Sequence, residues 1–522
     1  MPQFAVKFQQ TLSSSHRSTR YQLMSTRTHN SLPIIAILLT GLFTTHSAPA
    51  AEPKPPNIVL IVADDLGYGE LGCYGQKMIK TPRLDGLAEQ GLRFTQFYCG
   101  APVCAPSRCT LMTGKHLGHA AIRNNVKPKG MEKLREKFKW ETPGQQPLPD
   151  SEVTVAELLH TKGYATAAIG KWGLGMVGTC GDPNKQGFDL FYGYLCQEHA
   201  HNHYPTFLWR NGKKEAQHGN NGTGKGETFS QDQFVEEATQ FIREHRDGPF
   251  FLYLPLIIPH LSIQVPDESL AQYAGKIPET PVEAKGGYFP HPTPHAGYAA
   301  MISHMDQGIG KIVDLLDKLH LSENTLVIFT SDNGPTFQRI GGADSEFFNS
   351  SGPLRGRKGS AYDGGIRVPF IARWPGKIAA GRETSQVAAF WDMLPTLCDL
   401  ARADTPQKLD GISIVPTLLG EGEQRQHEYM YWEFPAFEKQ QAVRAGDWKI
   451  VRSGVDKGDP SWELYDLKDD IGEEHNVADK NFDVVERLAA YAKQAHTPSN
   501  LFPLLPGEKP EEEHAKPKPS AE

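Results

Sequence analysis

Four apolar runs in this chain stop abruptly at a charged or ligand-capable residue, and that pattern constrains the fold more than any other feature. Residues 57–63 (NIVLIVA) run into Asp64 and Asp65, and residues 164–170 (YATAAIG) into Lys171. Residues 250–259 (FFLYLPLIIP) run into His260, and residues 325–331 (TLVIFTS) into Asp332 and Asn333. Short continuous runs rich in Val, Ile and Phe mark strands buried on both faces, as in a parallel sheet covered by helices. Between them lie segments with helical apolar spacing at 81–91, 154–163 and 297–319. The last carries Met301, Met305, Ile309, Ile312, Leu316 and Leu319 on one stripe, which reads as core packing. This alternation, from about residue 57 to 421, predicts an α/β fold with a large, mostly parallel or mixed central sheet flanked by helices.

Beyond residue 425 the pattern changes to short aromatic strands at 429–434, 442–452 and 461–467, then a helix at 484–496. The organisation read from this is a signal peptide at 1–50, a catalytic α/β domain at 51–424, a small C-terminal antiparallel α+β subdomain at 425–505 and a disordered tail at 506–522. The tail is assigned from its Pro, Glu and Lys content. Residues 127–149 read as an insertion over the sheet edge, and residues 211–228 as a Gly-rich polar loop.

Of 522 residues, 39% are apolar and 22% charged, with a net charge of −7. That allows a sizeable core and excludes nucleic-acid binding as the main activity, since phosphate neutralisation needs clustered Lys and Arg. The first 50 residues hold Lys7, Arg17, Arg20 and Arg27 with no acid, an apolar run at 32–43 and the cleavage box Ala48-Pro49-Ala50. This is the form of a secretory signal peptide cut near Ala50, so the protein is expected to be exported, periplasmic or secreted. No stable membrane anchor is expected, because the run falls short of the ~20 residues that span a bilayer. Met24 is an alternative start. Seven Cys permit disulfides without forming a dense framework, and the odd count leaves one outside any intramolecular pair.

In a parallel α/β sheet the carboxyl ends of the strands share one edge, where ligands bind. Asp64, Asp65, Lys171, His260, Asp332 and Asn333 are thereby placed in one cleft. A lone Asp at a strand end is as well explained by a turn or a helix cap. Two such pairs offer only oxygen donors, which suits a hard divalent ion, Ca²⁺ or Mg²⁺, and not zinc. Pro106 stands where a helix begins, which puts Cys104 at its N-terminus. Free N–H groups and the helix dipole favour an anion there. A thiol so placed would have a lowered pKa and could serve as a phosphatase-like nucleophile, or it could pair with Cys99 or Cys109.

The segment Cys104-Ala105-Pro106-Ser107-Arg108 resembles the Cys-x-Pro-Ser-Arg signature of the type I sulfatases, arylsulfatase-like members of the alkaline phosphatase superfamily. The similarity runs from Asn57 to about Asp479 and includes VADDLGYGELGCYG at 62–75, TPRLDGLAEQG at 81–91, GKWGLG at 170–175, SDNGP at 331–335 and RKGSAYDGGIRVP at 357–369. RAGDWKI and WELYDL follow late in the chain. The resemblance implies that a maturation enzyme oxidises Cys104 to Cα-formylglycine, whose hydrate attacks sulfur with one hydroxyl and expels sulfate with the other. By motif position, Asp64, Asp65, Asp332 and Asn333, together with residue 104, would hold Ca²⁺, with Mg²⁺ the second choice. Arg108 would support the diol, Lys171 and Lys358 would bind the sulfate oxygens, and His260 would be the general acid for the leaving group.

Many family members have His two residues after the first catalytic lysine, where this chain has Gly173. His116, His119 or the set His199, His201 and His203 could stand in for it, although each reads more readily as structural or substrate-facing. The last three alternate along the chain and could line one face of a strand beside the cleft. Lys115 stands where many relatives have Arg, a mild change. His199, His201, His203 and Trp209, with Tyr204 and Phe207, are the residues expected on the substrate side, facing a sulfated carbohydrate. The other readings of the chain are a phosphonate or phosphate ester hydrolase of the same superfamily and a non-catalytic binder of sulfated glycans.

Overall fold

In the computed structural model, which describes residues 54–280 and 287–508, the run at 57–63 becomes β1 (Asn57–Asp64), buried along its whole length. Its side chains alternate between two apolar layers. Ile58, Leu60 and Val62 pack into one, and Val59, Ile61 and Ala63 into the other, as a strand covered on both faces requires. β1 lies at the middle of a large sheet. The other strands are β2 (Leu92–Tyr98), β3 (Ala165–Lys171), β4 (Leu190–Tyr194), β5 (Phe207–Arg210), β6 (Lys213–Ala216), β7 (Phe250–Pro259), β8 (Thr325–Ser331), β9 (Arg367–Arg373), β10 (Arg382–Thr384) and β11 (Ala388–Ala389). Their order is β10-β2-β9-β8-β1-β7-β3-β4-β5-β6, with β11 also paired to β2. The central strands β8, β1, β7, β3 and β4 run parallel, while β9 and the β5–β6 ribbon are antiparallel to their neighbours. The sheet is therefore mixed, with a parallel centre.

The expected helices form within a few residues of their sequence limits. α1 spans Pro82–Glu89 and α2 spans Cys104–Thr113. The helix Val155–His160 is opened by a capping box, in which Thr154 accepts from the Glu157 N–H at 3.2 Å and Glu157 accepts from the Thr154 N–H at 2.7 Å. The helix Pro294–Lys318 buries Met301, Met305, Ile309, Ile312 and Leu316 in one of the two apolar layers.

The C-terminal strands β12 (Met430–Phe434), β13 (Gln440–Ala445), β14 (Trp448–Ser453) and β15 (Glu463–Asp466) make a second, antiparallel sheet in that order. Alternation works here too. Met430, Trp432, Ala442 and Val451 join the main core, whereas Tyr431, Val443, Ile450 and Leu464 pack with Leu488 and Ala492 of the helix Phe482–Ala495.

Three expectations need adjustment. The segment 442–452 is two strands, not one, because the backbone turns at Gly446, whose φ of 60° lies in the left-handed region that favours glycine. Part of the expected loop at 211–228 pairs with β5 as β6. All seven cysteines are unpaired. The expected signal segment at 1–50 lies outside the described residues, as does the part of the expected tail beyond 508. Glu508 itself is tied down by His496 and by the Leu504 N–H. Among the described residues no helix is long and apolar enough to cross a membrane.

Candidate active site

The strand ends bring the charged groups together as the parallel centre of the sheet requires. Asp64 closes β1, Lys171 closes β3, His260 follows β7, and Asp332 and Asn333 follow β8. Asp65 turns away from the strand with φ 67°. Against this edge sits α2, whose first residue is Cys104 and whose next turn carries Arg108. Lys358 arrives from the loop before β9.

The carboxylates are tied to cations at short range. Lys171 Nζ donates to Asp64 at 2.5 Å, and Lys358 Nζ to both Asp65 oxygens at 2.7 and 2.8 Å. Arg108 donates to Asp332 through Nε at 3.1 Å and Nη2 at 2.8 Å, and through Nη1 to the Lys171 carbonyl. The Cys104 thiol donates to Asp64 Oδ1 at 3.3 Å, and the two lysine ammoniums lie 3.5 and 3.6 Å from its sulfur. His260 donates from Nδ1 to the Leu261 carbonyl at 2.7 Å, which leaves Nε2 facing Asp65 at 3.9 Å. A carbonyl can only accept, so the tautomer is set.

Burial and charge compete in the ionisation of these groups. Burial alone would raise the Asp64 carboxyl, but Lys171, His260 and Arg108 overcome it and hold it well below the usual range. Burial and the Asp64 charge push Asp332 up to about 6. Burial works against both lysine charges, yet Asp64 keeps Lys171, and Asp65 keeps Lys358, raised and cationic. The lowered thiol pKa expected at a helix N-terminus is not found. Burial and Asp64 push Cys104 up to about 12, because a fully buried thiolate beside a carboxylate costs more than the helix dipole returns. As a plain thiol the residue is a poor nucleophile, which weakens the thiol-phosphatase alternative.

The donor set fits a hard divalent cation. Asp64, Asp65, Asp332 and Asn333 offer oxygen only, and the Asn333 Oδ1 is buried without a hydrogen-bond partner. Ligand atoms of Asp64, Asp65, Cys104 and His260 also lie within 4.8 Å of one another.

Above this floor opens a cavity of about 620 Å³ that His260 and Lys358 help to line. Of the residues expected on its substrate side, only His201 lines it, stacked on His260 with ring centroids 5.1 Å apart. The three histidines do not share a strand face, because residues 199–201 form a turn of 3₁₀ helix. His199 packs between Tyr194 and Phe207, and His203 is buried, with Nε2 3.0 Å from the His260 carbonyl. Trp209, Tyr204 and Phe207 are core residues, 4%, 6% and 7% exposed. Their aromatic character signalled packing. His116 and His119 stack on each other and share Asp410, outside the cavity lining.

The walls hold residues that sequence reasoning missed, among them Gln145, Gln197, Tyr288, Phe337 and Phe437. Gln197 occupies the hollow at Gly173. A Cβ built at Gly173, where φ is 77°, would stand 2.2 Å from the Gln197 Nε2 and 4.0 Å from the Arg108 Cδ. The Gln197 amide thus fills the space that a side chain at 173 would need, and both of its polar atoms are buried without hydrogen-bond partners. The lone signal in the sequence was the Gly itself.

A sheet edge of this kind, with a helix start aimed at an acidic and basic cluster below a cavity, has the form of an enzyme site for a charged substrate. Comparison with known proteins narrows the class. The sulfatase family pattern matches residues 56–403, and the pattern for the C-terminal part of N-sulphoglucosamine sulphohydrolase matches residues 357–495. Human arylsulfatase A is 35% identical over 486 residues, covering 84% of this chain and 86% of its own. Mouse steryl-sulfatase is 30% identical over 479 residues, covering 78% and 72%. The solved structure of Ps i-CgsB in complex with k-i-k-neocarrahexaose is similar with a TM-score of 0.70 at 28% identity, covering 84% of this chain and 92% of that one. This chain belongs to the sulfatase family, as a type I member within the alkaline phosphatase superfamily. It is a sulfuric ester hydrolase.

Proposed function

We propose that the protein hydrolyses the sulfate ester of a carbohydrate, with residue 104 acting as nucleophile after conversion of Cys104 to formylglycine by a maturation enzyme. The observation that carries this reading is the convergence of Cys104 with Lys171 and Lys358 at 3.5 and 3.6 Å over a floor of carboxylates. A formylglycine hydrate supplies a hydroxyl nucleophile and a route for releasing sulfate without water attacking sulfur. Cys104 is fully buried, so conversion has to precede folding of this segment.

Asp64, Asp65, Asp332 and Asn333 would hold Ca²⁺, which supplies Lewis acidity to the nucleophile and the sulfate oxygens. The chain's own residues do the rest. Lys171 and Lys358 hold the sulfate oxygens and offset the charge that grows on them in the transition state. Arg108, anchored on Asp332 and the Lys171 carbonyl, supports residue 104. His260 presents Nε2 to the cavity and, once protonated there while Nδ1 still donates to the Leu261 carbonyl, is assigned the proton transfer to the leaving oxygen. A carbohydrate substrate is supported by the polar groups around the cavity, Asn124, Asn125, Gln145 and Glu198 among them, and by the relative solved with an oligosaccharide. The segment at 1–50 is assigned to export.

Peptide mass spectrometry across residue 104, paired with turnover of p-nitrophenyl sulfate by wild type and Cys104→Ala, tests the nucleophile. An aldehyde at 104 and loss of turnover in the variant are expected; an unmodified thiol from a host with the maturation machinery would refute the assignment. Chelation should abolish turnover and Ca²⁺ restore it, and full activity in a chelated, metal-free sample would be fatal to the proposed ligand set. Faster turnover of a phosphonate or phosphate ester than of the paired sulfate ester would move the assignment to that class.

A further inference from the structure

The second sheet reaches the catalytic cavity through one hairpin. Between β12 and β13 the chain turns at residues 435–439, and Phe437 stands there 67% exposed with its backbone at φ 49°. A non-glycine residue in that region persists only where its surroundings impose it. The constraint is visible. The Phe437 ring meets Phe337 edge-on at 5.8 Å and 82°, and its own neighbour Phe434 at 5.6 Å.

Both Phe337 and Phe437 close over Gly359, where a Cβ would lie 2.8 Å from the Phe437 Cε2 and 3.3 Å from the Phe337 Cε1. Gly359 follows Lys358, whose ammonium lies 5.8 Å from the Phe337 ring centroid. A chain of short contacts therefore runs from the cation that faces residue 104 to an exposed ring at the cavity mouth. Among the described residues, Phe437 alone of the exposed large apolar side chains lines this cavity.

The surroundings say what the ring receives. The rest of the lining mixes polar groups, Asn124, Asn125, Gln145 and the Lys127–Glu198 ion pair at 3.2 Å, with apolar ones, Val126, Tyr288, Phe434 and Ala436. Apolar faces interleaved with hydrogen-bonding groups suit a pyranose ring, which has an apolar C–H face and a hydroxylated edge.

We propose that Phe437, backed by Phe337, is the stacking platform for a sugar unit of the substrate at the cavity mouth, so that the C-terminal sheet determines specificity for an extended sulfated carbohydrate. The inference rests on the sulfated-carbohydrate reading above. Phe337, next to Lys358, meets the unit that bears the sulfate. Phe437, one ring further out, meets the unit or face beyond it.

The test is steady-state kinetics of wild type, Phe437→Ala, Phe437→Trp and Phe337→Ala on p-nitrophenyl sulfate and on sulfated galactan and glycosaminoglycan hexasaccharides. Phe437→Ala should raise KM for a hexasaccharide substrate at least tenfold, with kcat within about twofold and p-nitrophenyl sulfate within about twofold. Phe437→Trp should restore KM, which a purely structural ring would not require, and Phe337→Ala should weaken both substrate types. An unchanged hexasaccharide KM in Phe437→Ala, or equal losses on both substrates, would overturn the platform while leaving the sulfatase assignment intact. Turnover of p-nitrophenyl sulfate with no hexasaccharide turned over or bound would also overturn it. If wild type turns over no sulfate ester, calorimetry with the same hexasaccharides decides: binding lost in Phe437→Ala supports the platform, and binding retained or absent in wild type refutes it.

Discussion

Two of the clusters of buried charge among the described residues differ in what lies around them. In the first, Asp64, Asp65 and Asp332 face Lys171, Lys358 and Arg108, none more than 7% exposed. In the second, Asp363 takes Lys449 on one oxygen at 2.7 Å, and the Tyr98 hydroxyl at 2.7 Å and Arg367 at 3.4 Å on the other. Lys449 also pairs with Glu473 at 2.8 Å, and Glu473 accepts from the Asp363 N–H at 2.7 Å. This second group stitches β2 and β9 of the large sheet to β14 of the small one. Its cations face its carboxylates, although the Glu473 Oε1, 2.8 Å from Lys449, makes no hydrogen bond. The first leaves the Asn333 Oδ1 unpartnered and opens to the cavity through Lys358 and His260. Burial of charge is thus no mark of function by itself; what sets the first cluster apart is a set of oxygen donors gathered below the cavity that His260 and Lys358 line.

The comparison can be broken by removing one cation from each. Lys171→Ala and Lys358→Ala should each lower kcat/KM for an aryl sulfate by on the order of 10²–10³, the loss typical of a transition-state charge partner. Circular dichroism should show the native fold with a lowered Tm, because a buried carboxylate loses its cation, so activity is scored per folded molecule. A loss below tenfold in both variants would take the lysines out of the chemistry.

Lys449→Met should do the opposite. It strands Asp363 and Glu473 without their cation and should cost about 3–5 kcal/mol of stability by denaturant melts, with kcat per folded molecule within about twofold. A Tm equal to wild type would mean the cluster does not hold the sheets together.

Acid gives a smaller, sharper probe of the scaffold. Burial, opposed by Asp410, lowers His116 to about 4. The folded state therefore binds this proton less readily than the unfolded chain, whose His titrates near 6.5. The contribution is fully present above pH 6.5 and is lost as pH falls toward 4, by roughly 3 kcal/mol in all. His116→Gln should flatten that part of the stability profile. An unchanged acid slope would show that other groups set it.

The two clusters also differ in legibility. Asp64, Lys171, His260, Asp332 and Asn333 announce themselves because each ends an apolar run, and a parallel sheet turns strand ends into neighbours. Lys449 and Glu473 carry no such punctuation. In sequence they are ordinary charged residues near a turn, and only the docking of one sheet on the other shuts water away from them. Trp209 and His203 failed in the opposite direction, since an aromatic or imidazole ring reads alike whether it packs in a core or meets a sugar. Phe437 and Gln197 were invisible for a related reason, because exposure at a cavity wall follows from which loops meet there.

By itself the sequence determined the alternating architecture, the residues at the sheet edge, the helix start at Cys104 and the family. These follow from local periodicity and from the shared polarity of parallel strands. The tertiary structure decided the rest: that Cys104 is buried and its thiol held protonated, that Gln197 occupies the hollow at Gly173, and that a hairpin of the second sheet brings Phe437 to the cavity mouth. Each of these depends on contacts between segments far apart in the chain, and no local pattern encodes which distant surfaces will exclude water together.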